Sequence, residues 1–174
     1  LAEYARSADL LEASVGVAAL NSLISPDPES RVKINASELI AERGRGKTIA
    51  VVGHFPFVER LRRTADVRLI QKEPGAREEA LREAEEKIPG CDVVALTASS
   101  IINNTFDRLL ELSRGCFVIV LGPSTPMSAK LFQLGIAMLC GTVVDDVDVA
   151  RRCITQGATY REIKGIRRVA MFAP

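Results

Sequence analysis

Residues 48–56, with the sequence TIAVVGHFP, constrain the fold more than any other part of the chain. Four apolar residues at 49–52 run without a polar interruption and end at Gly53, and the only histidine, His54, follows. A continuous apolar run of this length is typical of a strand that is covered on both faces, as in a parallel sheet. Glycine lets the chain turn sharply at the strand end, and Pro56 is well placed for the first turn of a helix. The segment therefore predicts a buried parallel strand followed by a helix.

Strand-like and helix-like patterns alternate from this segment to the end of the chain. Strands are predicted at about 48–53, 66–71, 92–97, 116–121 and 136–144, with an edge strand at 169–172. Helices are predicted at about 57–64, 76–87, 99–112, 127–134 and 146–157. Regular alternation of this kind predicts the α/β class. We expect a Rossmann-like, doubly wound parallel sheet of five to six strands, with helices on both faces, over residues 46–174.

The first 45 residues lie outside this alternation. Apolar residues at helical spacing predict a helix over residues 3–24, which the prolines at positions 26 and 28 end. Asn35, with Glu38 three residues later, predicts the N-cap of a second helix that stops at Gly44. Because the chain begins with Leu1 inside a predicted helix, we expect it to be a fragment of a longer protein.

Composition argues against several classes of partner. The chain has 23 basic and 22 acidic residues, a net charge of +1, and only 5% aromatic residues, so we expect no nucleic acid and no anionic membrane as partner. No apolar run approaches the roughly 20 residues that span a bilayer. The four cysteines form no CxxC pair, as expected for buried thiols in a reducing compartment, and no signal peptide is recognisable. We therefore expect a cytoplasmic protein.

Polar or turn-forming residues follow four of the predicted strands. The carboxyl ends of parallel strands meet at one edge of a sheet, where open α/β folds bind their ligands. We therefore expect these residues to converge on one crevice. The candidate ligand-binding residues are Gly53, His54, Phe55, Glu73, Thr97, Ser99, Ser100, Asn103, Asn104, Gly122, Ser124 and Thr125.

Each candidate has a functional and a structural interpretation. His54 is the candidate metal ligand, and it could equally serve as an acid-base group, as a hydrogen-bond donor to a ligand or as a loop cap. Glu73 lies 20 residues beyond Gly53, the spacing at which dinucleotide folds bind ribose, but the GxGxxG pattern is absent and a solvated carboxylate is the alternative. The pairs at 99–100 and 124–125 precede predicted helices, so they suit an anionic ligand group or simple N-capping.

A metal site formed by the chain alone is harder to assemble. One histidine and scattered cysteines lack the spacing of zinc ligands. Asp145, Asp146 and Asp148 could bind a hard cation through oxygen atoms, although such a cluster more often caps a helix. No serine lies in a GxSxG turn, and a second histidine for a catalytic triad is lacking.

Several motifs resemble one known family. They are VGHFP at 52–56, EPG at 73–75, TASSIINNT at 97–105 and LGPSTP at 121–126. Together they are similar to the Rossmann-like domain of the "putative heavy-metal chelation" proteins, formerly a domain of unknown function. The segment ASVGVAALNS at 13–22 resembles the end of their small N-terminal domain, which has an enolase-N-terminal-like α+β fold. The resemblance implies that residues 1–45 are the C-terminal remainder of that domain with a linker, and that a cleft separates two domains.

The resemblance also implies a role in metal or cofactor handling, with a divalent heavy metal as cofactor and a link to corrinoid biosynthesis. Our hypothesis is a protein that binds a small metal-chelating or multi-ring ligand at the strand-end crevice. His54 would contact the metal or ligand, Glu73 would accept hydrogen bonds, and the Ser/Thr clusters would bind anionic groups. The alternatives are a nucleoside-cofactor enzyme, such as a methyltransferase, and a non-catalytic subunit whose crevice is a partner interface. The sequence leaves open whether the protein is an enzyme and whether it is a homo-oligomer.

Overall fold

One six-stranded sheet forms the centre of the protein in the computed structural model, which describes residues 2–25, 31–33, 35–71 and 76–174. Its strands are β1 (Thr48–Val52), β2 (Asp66–Ile70), β3 (Val93–Thr97), β4 (Phe117–Leu121), β5 (Ile136–Val144) and β6 (Ile166–Phe172). They lie in the order β2-β1-β3-β4-β5-β6. The first five are parallel and β6 is antiparallel to β5. The predicted α/β sheet is thus confirmed, and its order reverses at β1, where such sheets place their ligand crevice.

Helices cover both faces of the sheet. They are α1 (Ala2–Ala5), α2 (Leu10–Ser22), α3 (Ala36–Arg43), α4 (Val58–Leu61), α5 (Arg77–Lys87), α6 (Ser99–Ile102), α7 (Phe106–Leu112) and α8 (Val147–Thr155), with a 3-10 helix at Ala129–Leu134. Successive side chains of a strand point to opposite faces, so each strand contributes to two cores. One core joins strand residues such as Val52 to Ala84 of α5 and Leu109 of α7. The other joins residues such as Val51 to Ile40 of α3 and Leu61 of α4.

The N-terminal segment forms two helices rather than the single predicted one. Asp9 caps the second helix, because its carboxylate accepts hydrogen bonds from the amides of Leu11 and Glu12 at 2.9 and 3.0 Å. The two helices then pack closely against each other. A Cβ at Gly16 would lie 2.6 Å from the carbonyl carbon of Tyr4, so only glycine allows this approach. Among the described residues, no helix has both the length and the apolar character needed to cross a bilayer.

Helix α3 begins and ends as the sequence predicts. The Asn35 side chain accepts a hydrogen bond from the Ser37 amide at 3.2 Å and donates one to the Glu38 carboxylate at 2.8 Å. The helix ends at Gly44, whose amide donates to the carbonyl of Ile40. Since Ile40 is fully buried in a core of the sheet, α3 packs on the Rossmann-like part of the chain. A domain boundary near residue 45 stays a prediction.

Two other elements differ from their sequence patterns. The predicted helix 99–112 is divided into α6 and α7 because Asn104 adopts a left-handed backbone with φ of +57°, which asparagine tolerates better than most residues. The edge strand starts at Ile166 rather than at residue 169. Its first half was missed because Arg167 and Arg168 interrupt the apolar pattern, although both pair with β5 in the sheet.

Candidate functional site

The end of β1 is shaped by a glycine that no other residue could replace without a clash. Gly53 has φ of +114°, and a Cβ there would lie 2.9 Å from the Cβ of Thr97. Its amide donates to the carbonyl of Ile70 at 3.0 Å, so the end of β1 is tied to β2 while touching β3. This close approach lets the chain leave the sheet sharply, which brings His54 to the carboxyl edge.

The His54 ring is exposed and oriented by one neighbour. Its Nδ1 lies 3.0 Å from the Nε2 of Gln71, which follows β2. In the assigned orientation the Gln71 amide donates, so Nδ1 accepts and a neutral ring carries its proton on Nε2. The ring of Phe55 stacks on Phe57 with centroids 5.2 Å apart. The loop after β1 therefore offers a polar N–H and an apolar surface side by side.

The loop after β3 places two hydroxyl groups at the same edge. The Ser99 amide donates to the Thr97 hydroxyl at 3.3 Å, and the two hydroxyl oxygens lie 3.2 Å apart. Ser100 is buried, and its hydroxyl donates to the Thr97 carbonyl at 2.6 Å. The residue at the N-cap position of α6 is Ala98, which makes no side-chain cap. The interpretation of Ser99 or Ser100 as the N-cap is therefore wrong.

Asn103 and Asn104 connect neighbouring segments. The Asn103 side chain accepts hydrogen bonds from the amide and hydroxyl of Thr105 at 3.2 and 2.7 Å. The Asn104 side chain donates to the carbonyl of Ser7 at 3.0 Å, which attaches the turn between α1 and α2 to this loop. Its own carbonyl accepts from Arg77 at 2.8 Å.

The loop after β4 is fixed by backbone contacts. The Gly122 amide donates to the Cys140 carbonyl of β5 at 3.1 Å. Thr125 is buried, and its hydroxyl donates to the Gly122 carbonyl at 2.9 Å. The Ser124 carbonyl accepts a hydrogen bond from the side chain of Asn21 at 2.8 Å, so α2 is anchored beside this loop.

These three loops border one open crevice of about 1210 Å³. Five of the predicted residues line it and form what we call the strand-end wall: His54, Phe55, Thr97, Ser99 and Gly122. Six others do not line it: Gly53, Ser100, Asn103, Asn104, Ser124 and Thr125. Glu73 lies outside the described residues.

A second wall, which sequence reasoning missed, is positively charged. It consists of Lys33, Arg161, Arg167 and Arg168, which we call the basic wall. The only signal in the sequence is the pair of arginines in β6, because the other two members come from distant segments. The sheet joins them: Val32 pairs with Ala170 of β6, which places Lys33 beside that strand.

The described residues do not fit a resident heavy metal. Cys140 lies in the crevice, but burial raises the pKa of its thiol to about 12, so the thiol stays protonated. The hydrogen bond from Arg167 lowers the pKa of Asp145, whose carboxylate is paired with that guanidinium. The part of the chain that the structure describes contains no group of three His, Cys, Asp or Glu side chains suited to a metal ion.

The acidic cluster beside the crevice has structural roles. Asp146 caps α8, since its carboxylate accepts a hydrogen bond from the Val149 amide at 3.0 Å. Asp148 pairs with Arg151 at 2.7 Å, and both side chains are exposed. The capping interpretation of this cluster therefore holds for Asp146, and the cluster offers no cage for a hard cation.

Comparison with known proteins finds solved structures with the same fold as this chain, and they belong to one family. A crystal structure of a protein of unknown function from the DUF364 family of Desulfitobacterium hafniense superposes with a TM-score of 0.77 at 28% identity, covering 98% of this chain and 72% of that one. A DUF364 protein of unknown function from Pyrococcus horikoshii (PH1506) gives a TM-score of 0.83 at 20% identity, with the same coverage, and shows the fold alone.

A sequence relative and a family model also match this chain. Uncharacterized protein MJ0500 of Methanocaldococcus jannaschii is 30% identical over 156 residues, and the chain spans 60% of its length. The model of the DUF364 family, described as "Putative heavy-metal chelation", matches residues 35–173. That match includes β1 to β6 and both walls of the crevice except Lys33. The chain therefore belongs to the DUF364 family.

Proposed function

We propose that the crevice binds a small organic ligand that holds a divalent heavy metal with its own donor atoms. The observation that carries this proposal is the contrast between a cavity of about 1210 Å³ and its lack of metal ligands. Of the described lining residues, Cys140 is protonated and Asp145 is paired, which leaves His54. A heavy metal needs several donor atoms, so the ligand must supply most of them. The description of the family supports a metal as cargo.

The strand-end wall suits the organic part of such a ligand. The stacked rings of Phe55 and Phe57 offer an apolar surface, as a multi-ring ligand of the corrinoid kind would need. The Nε2 of His54 would donate a hydrogen bond to the ligand in one tautomer. In the other tautomer the ring proton lies on Nδ1, the Gln71 amide turns its oxygen to accept it, and Nε2 would fill one open position on the metal. The hydroxyl groups of Thr97 and Ser99 hydrogen-bond to polar groups at the ligand's edge. Glu73, which follows β2, is proposed to accept hydrogen bonds from hydroxyl or amine groups.

Calorimetry with cobalt(II) alone, nitrilotriacetate alone and their one-to-one complex tests the proposal. We expect the complex to bind more tightly than either component. His54→Ala should weaken that binding by about tenfold or more, about 1.4 kcal/mol. Gln133→Ala, which truncates an exposed side chain outside the crevice, is the matched control and should bind like the unmodified protein.

Two results would contradict the proposal. One is tight binding of cobalt(II) alone that His54→Ala leaves unchanged, because the metal would then be held elsewhere by the protein. The other is a complex that binds no more tightly than free nitrilotriacetate, because the metal would then contribute nothing. Unfolding curves of both variants establish that each is folded.

A further inference from the structure

The crevice concentrates positive charge in an otherwise balanced chain. Four basic residues line it, and Asp145 is the single acidic one among the described lining residues. The excess is three positive charges, whereas the whole chain has a net charge of +1. The charges of the remainder of the chain therefore sum to a slightly negative value, so the positive excess is local to the crevice.

Asp145 balances only one of the four basic residues. Its two carboxylate oxygens accept hydrogen bonds from the Nε and Nη2 of Arg167 at 3.1 and 2.9 Å. Arg31 lies near enough that its charge also lowers the pKa of Asp145. The Nε of Arg31 is buried without a hydrogen-bond partner among the described residues. One carboxylate is thus influenced by two guanidinium groups, so it balances only part of the positive charge beside the crevice.

Arg168, Lys33 and Arg161 are positioned to bind an anion in the crevice. The Arg168 guanidinium lies over the Tyr160 ring, 5.4 Å from its centroid. That ring is itself held by a hydrogen bond of 2.6 Å between its hydroxyl and Thr142 of β5. Lys33 and Arg161 have no ion-pair partner among the described residues, and both are exposed in the crevice. A stacked guanidinium keeps its N–H groups available for a ligand.

We propose that the ligand of this crevice is a polyanion, with two or more carboxylate or phosphate groups bound by the basic wall. This inference rests on the proposed function, because it describes the ligand of the same site. Guanidinium groups pair with both kinds of oxyanion in a forked geometry, and a monoanion would leave most of the excess charge unbalanced. The anionic side of the ligand then faces β6, and its metal-binding side faces His54.

Calorimetry with metal-free citrate, pyrophosphate and acetate tests the inference. We expect citrate or pyrophosphate to bind about tenfold or more tightly than acetate, with an affinity that falls between about 20 and 200 mM salt. Stronger binding of citrate would identify the anionic groups as carboxylates, and stronger binding of pyrophosphate would identify them as phosphates.

Two double variants with the same change in charge sharpen the test. Arg161→Gln with Arg168→Gln should weaken polyanion binding by about tenfold or more and reduce its salt dependence. Arg45→Gln with Arg114→Gln removes two exposed arginines that do not line the crevice and should leave the affinity within about twofold. An equal loss in both doubles would overturn the inference, as would equal binding of acetate and citrate.

A neutral chelate separates this inference from the proposed function. If a cobalt complex of a neutral chelator such as bipyridyl binds in a His54-dependent way while citrate and pyrophosphate do not bind, the polyanion inference fails and the proposed function stands. If citrate binds through the basic wall but gains nothing from a bound metal, the polyanion inference stands and the proposed function fails.

Discussion

The two walls of the crevice are built by different physical means. The strand-end wall follows three parallel strands, and its shape is set by backbone hydrogen bonds and by the contact between Gly53 and Thr97. The basic wall consists of long charged side chains beside the antiparallel pair of β5 and β6. The first wall contains no Asp, Glu, Lys or Arg side chain. The second is charged, and its arrangement depends on one ion pair and one stacked ring.

This difference separates stability from affinity. A change in the packed backbone of the strand-end loops should mainly affect the free energy of unfolding, whereas the exposed His54 ring should mainly affect ligand binding. A change in the basic wall removes exposed charge, which contributes little to stability but much to the attraction of an anion. The predictions below test this division, from the largest expected effect to the smallest.

The largest effect is expected at Cys140, which lies in β5 between the two walls. Its pKa is raised from 9.0 to about 12 by burial. The fraction of thiolate at pH 8 should therefore fall by about 1000-fold, and alkylation by iodoacetamide should slow by the same factor because the thiolate is the nucleophile. Mass spectrometry of the labelled peptide, with the protein in denaturant as reference, measures the rate. Labelling of the folded protein at the denatured rate would contradict the prediction.

The same thiol should give the protein a stability that depends on pH. A folded-state pKa above the unfolded value means that the folded state holds the proton more tightly. The contribution is therefore fully present below about pH 9 and is lost as pH rises toward about 12. Cys140→Ala should flatten the decline in stability over this window, which denaturant titrations at successive pH values would show.

A smaller effect is expected from Gly53→Ala, which lies directly before His54 of the strand-end wall. The new Cβ would combine a strained φ of +114° with a contact of 2.9 Å to Thr97. We expect a loss of about 2–3 kcal/mol in the free energy of unfolding. Gly46→Ala is the matched control, since it has φ of +70° but nothing within 4 Å, and should cost about 1 kcal/mol. Equal losses in denaturant titrations would mean that strain alone, and not the contact between strand ends, makes glycine necessary.

Sequence reasoning located the sheet and the strand-end wall because both follow from local patterns. The run at 49–52 and the turn at Gly53 identify β1 and its end without knowledge of any partner. The parallel order then brings Thr97 and Gly122 to the same edge. Sequence reasoning could not show which of the hydroxyl groups face the crevice. Ser99 lines it, whereas the adjacent Ser100 is buried, because the short helix α6 turns them in different directions.

The basic wall was missed because it depends on long-range pairing. Lys33 and Arg168 are far apart in sequence, and only the bridge between Val32 and Ala170 brings their segments together. The balanced total charge of the chain also concealed a local excess, since acidic residues elsewhere offset it. The total charge of a chain therefore carries no information about a charged pocket.

The smallest expected effect tests whether the basic wall depends on the stacked ring. Thr142→Val removes the hydroxyl that holds Tyr160 at 2.6 Å while keeping a β-branched side chain in β5. The lost hydrogen bond should cost about 1 kcal/mol of stability. Because the ring then rotates more freely under Arg168, citrate affinity should fall by about two- to fivefold.

Thr155→Val is the matched control, since its hydroxyl donates to the Arg152 carbonyl at 3.0 Å on the exposed end of α8, outside the crevice. It should leave citrate binding unchanged in calorimetry at low salt. If Thr142→Val loses stability but keeps full affinity, the stacked ring supports the fold alone. The guanidinium of Arg168 would then bind an anion without being held in place, and the basic wall would act through charge rather than through geometry.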